Sequence, residues 1–268
     1  MHVTSLGHRT DLALLTAAGS TVEDRGTHLV VRTPDNPTYF WGNFILLPSP
    51  PVPGGEREVI GAFHTEFPDA EHISIAIDTG ELDADARARF EAGGLVVDTS
   101  LVLTATALVK PLAPVLPVEI RALESDLDWE GRAYLSQTLY PETPEESFLA
   151  FARGKNVQER RLVDAGSGQR FGAFLEGIQI ATAAVFRTEP GVARFQSVET
   201  HPEFRRQGLA ANVVHAAGAY ALANLDVTTL VIVADEDGPA TGIYQRLGFV
   251  DAERTIALEK RSEGWAND

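Results

Sequence analysis

One stretch of the chain decides the fold, and it reads Phe195-Gln-Ser-Val-Glu-Thr-His-Pro-Glu-Phe-Arg-Arg-Gln-Gly-Leu-Ala-Ala211. Its first residues, up to Thr200, favour a strand, and His201-Pro202 favours a tight turn. An alanine-rich segment, Gly208–Asn224, then predicts a long helix. The first amides of a helix have no partners within it, and its dipole adds about half a positive charge there. The strand–turn–helix unit therefore predicts an anion site.

The residues at this turn suit a diphosphate. Gly208 has no side chain, so a phosphate can approach the backbone closely. Ala210 keeps the next position small. Arg205 and Arg206 supply positive charge that phosphate oxygens can use. The sequence thus predicts a pyrophosphate-binding loop between a strand and a helix.

Two motifs together resemble a known family. The segment Arg205-Arg-Gln-Gly-Leu-Ala210 resembles the Arg/Gln-x-x-Gly-x-Gly/Ala pyrophosphate loop of GCN5-related N-acetyltransferases (GNATs). Downstream, Ala240-Thr-Gly-Ile-Tyr-Gln-Arg-Leu-Gly-Phe249 is similar to that family's Ala-x-x-x-Tyr-x-x-x-Gly-Phe signature. The resemblance covers residues from Val118 to about Lys260. One departure is Arg206, which stands where many members carry glycine.

The resemblance implies acetyl-CoA as co-substrate and gives residues their roles. Backbone groups of Val198 and Thr200 would pair with the pantetheine arm, and the amides from Arg206 to Ala211 would hold the pyrophosphate. Tyr244 would lie near the sulfur and protonate the leaving thiolate. The implied cofactor-binding set is Val198, Glu199, Thr200, Arg205, Arg206, Gln207, Gly208, Leu209, Ala210, Ala211 and Tyr244.

Acyl transfer to an amine needs a neutral nucleophile, so a base is useful if the amine starts protonated. Glu199, on the strand that leads into the loop, is the first candidate. Strand alternation places Val198 and Glu199 on opposite faces, so Glu199 faces the opposite side if Val198 faces the core. Gln196, Glu176 and water remain alternatives. Tyr244 is the candidate acid, and backbone amides near the turn can stabilise an oxyanion.

These features predict an N-acetyltransferase. It would transfer an acetyl group from acetyl-CoA to a primary amine of a small molecule, by direct attack through a tetrahedral intermediate. Two alternatives stay open: a non-catalytic acyl-CoA-binding regulatory module, and a protein or peptide amine acetyltransferase. The sequence leaves open the acceptor, the acyl-chain preference and whether the protein is a monomer or a homodimer.

Composition narrows the class of partners. The chain has 268 residues, enough for two domains, and a formal net charge of −16, which disfavours nucleic acid and anionic membranes. That charge suits a cationic substrate, or solubility alone. Cysteine is absent, which excludes disulfides and thiolate metal sites, and the histidines show no metal-ligand spacing, so no metal is predicted. Neither a signal peptide nor a membrane span is evident, and a cytoplasmic location is expected.

A proline-rich segment, Lys110–Pro117, marks the expected domain boundary, although an ordinary loop inside one domain would fit the same residues. Residues 117–268 are expected to form the catalytic GNAT domain. Residues 1–112 repeat the strand–turn–helix order without the Arg-x-x-Gly-x-Ala pattern, and Pro48–Pro53 removes amides that a diphosphate would need. They are expected to form a degenerate GNAT-like copy that lacks the pyrophosphate loop.

The expected fold class is α/β, with a central mixed, mostly antiparallel sheet flanked by helices in each domain. Two helix starts are predicted from capping residues. Ser125 or Asp126 should cap the first helix of the second domain, and Thr143 with Glu146 should form a capping box at the next. A hairpin is expected around Glu176-Gly177. Residues 95–109 read as strand, in one or two pieces, and residues 39–47 as another strand.

Overall fold

A computed structural model describes residues 1–261, and it divides the chain into two compact units. Of the described residues, unit 1 comprises 1–102, 234–236 and 252–261. Unit 2 comprises residues 103–233 and 237–251. Residues 106–118, which include the proline-rich segment, form no helix or strand and belong to unit 2.

Helices and strands are interspersed along the chain. The first part contains α1 (Leu6–Ala17), β1 (Thr21–Asp24), β2 (Leu29–Arg32), β3 (Phe44–Leu47), α2 (Glu56–Glu66), β4 (Ile73–Ile77), α3 (Ala84–Ala92) and β5 (Val96–Ala105). The second contains β6 (Glu119–Ala122), α4 (Asp126–Gln137), α5 (Glu145–Asp164), β7 (Gly168–Leu175), β8 (Ile178–Glu189), β9 (Gly191–Thr200), α6 (Leu209–Asn224), β10 (Val227–Asp235), α7 (Pro239–Arg246) and β11 (Val250–Lys260).

Unit 1 is built around a parallel crossover. Strands β1, β2 and β3 pair antiparallel, whereas β3 and β4 pair parallel because α2 carries the chain back between them. Phe63 of α2 is fully buried in a cluster with Ile45 and Ile75 from these two strands. Burying one face of α2 on the strands is what fixes the crossover in place.

The predicted strand over residues 39–47 is wrong in its first half. Residues Phe40–Gly42 form a single 3-10 turn, and β3 begins only at Phe44. The reason is a local polar cluster, because the side-chain amide of Asn43 donates to the carbonyls of Asn36, Pro37 and Tyr39. These bonds satisfy backbone groups within the loop and so compete with a strand.

Unit 2 has a mixed sheet with helices on both faces. Strands β6, β7, β8 and β9 pair antiparallel in order, and β9 pairs parallel with β10 across α6. Successive residues of β7 point to opposite faces. Arg170 meets Glu159 of α5, while Phe171 packs against Tyr220 of α6. Helices α4 and α5 therefore cover one face of the sheet, and α6 covers the other.

Helix α4 begins as predicted, since the Ser125 side chain accepts from the Asp128 amide and Asp128 completes a capping box. The capping box predicted for the next helix is wrong. Helix α5 has Pro144 as its N-cap and no side-chain cap, because its first residue is Glu145 and Thr143 lies one position too early. Residues 96–105 form one strand, β5, rather than two.

Candidate functional site

A β-bulge interrupts β9 just before the predicted loop. Ser197 has a φ of 46°, a left-handed conformation that non-glycine residues rarely adopt. The register changes there, because Gln196 pairs with Ala184 while Glu199 pairs with Thr182. Two residues of β9 thus oppose one of β8, which bends the strand and re-aims its side chains.

The bulge decides where Glu199 points. Glu199 pairs with Thr182, whose hydroxyl receives a hydrogen bond from the α4/α5-facing residue Arg170, so Glu199 lies on the α4 side of the sheet. Its carboxylate accepts a 2.6 Å hydrogen bond from the Ser136 hydroxyl on α4. The Arg132 guanidinium lies 3.6 Å from its other oxygen, and the side chain is 14% exposed. The candidate base is therefore a fixed and partly desolvated carboxylate.

Behind Glu199 lies a buried cluster of charges that the sequence did not reveal. Arg170 is fully buried and donates to Glu159 at 2.6 Å, to the Thr182 hydroxyl at 3.1 Å and to the Ser197 carbonyl at 3.3 Å. Two guanidiniums, Arg132 and Arg170, balance two carboxylates, Glu159 and Glu199. Because Arg170 holds the carbonyl of the bulge residue, the cluster links the helices α4 and α5 to the shape of β9.

One signal for this cluster was present in the sequence. Arg170 stands inside a strand of mostly small and apolar residues, where a charged side chain needs a buried partner. Its partner could not be identified, because Glu159 belongs to another element and only the folded chain brings the two together.

The cluster should make stability depend on pH. Burial alone would raise the pKa of Glu159, but Arg170, Arg132 and Lys155 lower it to about 2. A carboxyl with a lowered folded-state pKa stabilises the fold above its unfolded value and loses that contribution as pH falls through the folded value. We expect up to about 3 kcal/mol of unfolding free energy from this group to disappear between about pH 5 and pH 2.

Denaturant unfolding at a series of pH values measures this loss. Glu159→Gln should show a shallower fall of stability in acid than the unchanged protein. Other ion-paired carboxylates such as Asp128, whose pKa Arg121 also lowers, titrate in both proteins, so the difference isolates Glu159. Equal acid slopes for the two proteins would refute the role of Glu159.

The start of α6 has the features that an anion site needs. Gly208 is the N-cap with a φ of 81°, and no side chain caps the helix there. The amides of the first turn, including those of the half-buried Ala210 and Ala211, therefore have no side-chain acceptor at the cap. Arg206 has a φ of 62°, a left-handed conformation that glycine adopts without strain. Arginine at this position therefore has backbone strain.

The proline-rich segment lies along one side of this loop. The Val115 amide donates to the Gln207 carbonyl at 3.1 Å, and the Asn212 side chain donates to the Leu112 carbonyl at 2.8 Å. A side chain added at Gly208 would meet the Cα of Pro114 at 3.6 Å. The segment thus lies within contact distance of Gly208 on that side.

Tyr244 lies on α7 and is 4% exposed. Its ring meets Phe249 edge-on with 6.2 Å between centroids, and Phe249 in turn meets Phe195 of β9 at 5.9 Å. A side chain at Gly218 of α6 would meet the Phe195 ring, so this aromatic series lies on the α6 side of β9. Tyr244 and Glu199 therefore approach β9 from opposite faces.

The remaining predicted site residues follow from these elements. Val198 and Thr200 lie on β9 beside the bulge. Both are half-buried, as Glu199 is. Arg205 and Arg206 are exposed at the turn, and Leu209 is buried as the first residue of α6. Within residues 1–261, no group of three or more His, Asp or Glu side chains is arranged to hold a metal ion. None of the helices described there is long and apolar enough to cross a membrane.

Comparison with known proteins agrees with this geometry. Residues 170–258 match the family model described as FR47-like protein. A GCN5-related N-acetyltransferase from Kribbella flavida is 17% identical, with 97% of each chain covered and a TM-score of 0.64. A tandem GNAT protein from the clavulanic acid biosynthesis pathway is 16% identical, with 96% of this chain and 89% of that one covered and a TM-score of 0.55.

A conserved protein of unknown function from Staphylococcus epidermidis is also similar, at 13% identity, with 91% of this chain and 95% of that one covered and a TM-score of 0.68. A search of curated proteins found no match. At these identities the solved structures establish the fold, and they confirm the predicted α/β class with GNAT-like architecture. The chain thus has the fold of the GCN5-related N-acetyltransferases to which it is similar.

Proposed function

We propose that this protein transfers an acetyl group from acetyl-CoA to a primary amine of a small molecule. The observation that carries the proposal is the opening of α6, where Gly208 in a left-handed conformation leaves the first-turn amides without a side-chain cap. Such an end binds a diphosphate through its amides and dipole. A diphosphate fits this helix end because Gly208, the residue that it must approach, has no side chain.

Acetyl-CoA supplies the acyl group as an activated thioester. The proposed work of the chain is to hold it and to move two protons. Amides from Arg206 to Ala211 hold the diphosphate, and the backbone of Val198 and Thr200 holds the pantetheine arm. Glu199 accepts the proton of the attacking amine, directly or through water, as the N–C bond forms. Tyr244 gives a proton to the thiolate that leaves when the C–S bond breaks.

Charge supports the choice of a cationic acceptor. The net charge of −16 favours the encounter with an amine that is protonated in solution. Glu199 is held by Ser136 and faced by Arg132, so its carboxylate keeps one orientation before the amine arrives. A carboxylate that is fixed in advance costs little reorganisation when the proton moves. We place the enzyme in the cytoplasm.

We assign residues 1–112 as a degenerate copy of the same fold and residues 117–268 as the catalytic domain. The parallel crossover β3–α2–β4 of unit 1 matches the crossover β9–α6–β10 of unit 2. The segment before α2 is Pro48-Ser-Pro-Pro-Val-Pro53, which offers few amides, so this copy is not suited to a diphosphate.

Tyr244→Phe tests the chemistry separately from the binding. We expect kcat for acetyl transfer to fall about a hundredfold, because the general acid is lost. Acetyl-CoA affinity by calorimetry should stay the same, since the ring and its contact with Phe249 remain. Thiol release with a panel of amines, polyamines and aminoglycosides measures turnover.

Tyr220→Phe is the matched control, since Tyr220 lies on α6, outside the proposed site residues, and packs against Phe171 of β7. Its turnover should equal that of the unchanged protein. Unchanged turnover in Tyr244→Phe would remove Tyr244 from the mechanism. Tight acetyl-CoA binding without thiol release to any amine would instead favour a regulatory acyl-CoA-binding module.

A further inference from the structure

A cavity of about 390 Å³ opens in unit 2 between α4 and the β7–β8 hairpin. This volume falls within the range of about 300–1,000 Å³ that is usual for small-molecule sites. Much of its wall is apolar, with Leu135 of α4, Phe174 of β7 and Ile178 of β8. Such a wall with a few polar groups is typical of a site that binds an organic ligand.

The polar group that indicates a ligand for this cavity is the side-chain amide of Gln179. Gln179 is 6% exposed and lines the cavity. Within the part of the chain that the structure describes, neither its oxygen nor its nitrogen has a hydrogen-bond partner. Buried polar groups are nearly always paired, so an amide with two unmet bonds at the wall of a cavity indicates a missing partner.

Two glycines make room for this amide. A side chain at Gly172 of β7 would meet the Gln179 nitrogen at 2.7 Å, and one at Gly131 of α4 would lie 3.8 Å from its oxygen. Gly131 itself lines the cavity beside this amide.

The carboxylate and guanidinium groups at the cavity leave no excess charge for an ionic ligand to pair with. Asp128 lines the cavity, but its carboxylate is already paired with the Arg121 guanidinium at 2.8 Å. Among the described residues that line the cavity there is no Lys or Arg to pair with an anion. An uncharged ligand that both donates and accepts would satisfy the Gln179 amide.

The cavity is lined by two residues that are close in sequence to the proposed reaction centre. His201 lines it and follows Glu199 by two residues on the chain, and Leu135 lines it next to Ser136, which donates to Glu199. We propose that this cavity binds an apolar group that ends in an uncharged carboxamide or lactam, with that end paired to Gln179. This site goes beyond the proposed acetyl transfer and does not depend on it.

Binding of small probes to the full chain without acetyl-CoA tests the proposal. Benzamide has a donor and an acceptor, methyl benzoate keeps the ring and the carbonyl but has an extra methyl group and no donor, and benzoate is charged. We expect benzamide to bind about tenfold more tightly than either of the others, measured by ligand-detected NMR and calorimetry. Gln179→Leu should remove this preference.

Gly131→Leu should weaken benzamide binding at least about tenfold, because the new side chain fills the cavity. Gly61→Leu is the matched control, since Gly61 is also on a helix and a side chain there meets nothing within 4 Å. Thermal melts check that both variants fold. Equal binding of the three probes, benzamide binding that survives Gly131→Leu, or no benzamide binding at millimolar concentration would each overturn the proposal.

The test separates this site from the proposed function. It measures binding without acetyl-CoA and without turnover, so an inactive enzyme that binds benzamide would refute only the acetyl transfer. An active enzyme that does not bind benzamide would refute only the cavity assignment.

Discussion

Gly208→Val should abolish acetyl-CoA binding by the folded protein. Gly208 has a φ of 81°, which a β-branched residue adopts only with strain of about 1–2 kcal/mol or more. The Cα of Pro114 lies at an ordinary contact distance, 3.6 Å, from the position of the new Cβ, so the strain comes from the backbone angle. The loop must shift, and the first-turn amides of α6 then lose their common direction.

Calorimetry with acetyl-CoA measures the effect, and Gly191→Val is the matched control. Gly191 has a φ of 77°, and a side chain there would meet Thr228 at 3.6 Å, so the local strain is similar but lies in the β8–β9 turn. We expect Gly191→Val to lose stability and keep its affinity for acetyl-CoA. Normal affinity in Gly208→Val would refute the diphosphate site.

Arg206→Gly tests the same loop by relieving backbone strain instead of adding it. Arg206 has a φ of 62°, so glycine relieves backbone strain and should raise the unfolding free energy. The amide stays in place while one exposed guanidinium is lost. Because backbone groups rather than this side chain are proposed to hold the diphosphate, affinity should change far less than in Gly208→Val.

Local signals predicted the loop and the elements around it. Chain order and a left-handed glycine are local properties, so residues 195–211 were sufficient to predict strand, turn and helix. Ser125 as the cap of α4 was equally local. The capping box predicted at Thr143 was wrong, which shows the limit of such signals. A shift of one residue at the helix start is enough to remove the side-chain cap.

The environment of the candidate base could not be predicted in the same way. The bulge at Ser197 breaks the two-residue alternation, so alternation along the strand could not establish which side chains share a face with Glu199. Ser136, which holds Glu199, lies 63 positions away in the sequence. Contacts of that range depend on how α4 packs on the sheet, and no local pattern encodes them.

The buried arginine behind the bulge leads to the second large effect. Arg170→Met should lower the unfolding free energy by about 3–5 kcal/mol, because the buried Glu159 carboxylate loses the guanidinium that donates to it and offsets its charge. Denaturant unfolding measures that loss. Turnover should fall as well, since the Ser197 carbonyl loses the guanidinium that holds the bulge.

A double variant separates the effect of Arg170 on stability from its effect on the bulge at Ser197. Replacing both Arg170 and Glu159 by Met removes the buried pair together, which restores most of the stability lost in the single variant. Arg132 still has Asn156 and Glu199 as partners in that protein. The Ser197 carbonyl remains without its donor, so we expect stability to return while kcat stays low and acetyl-CoA affinity changes little. If kcat returns together with stability, Arg170 acts only as part of the buried pair, and the bulge needs no support from it.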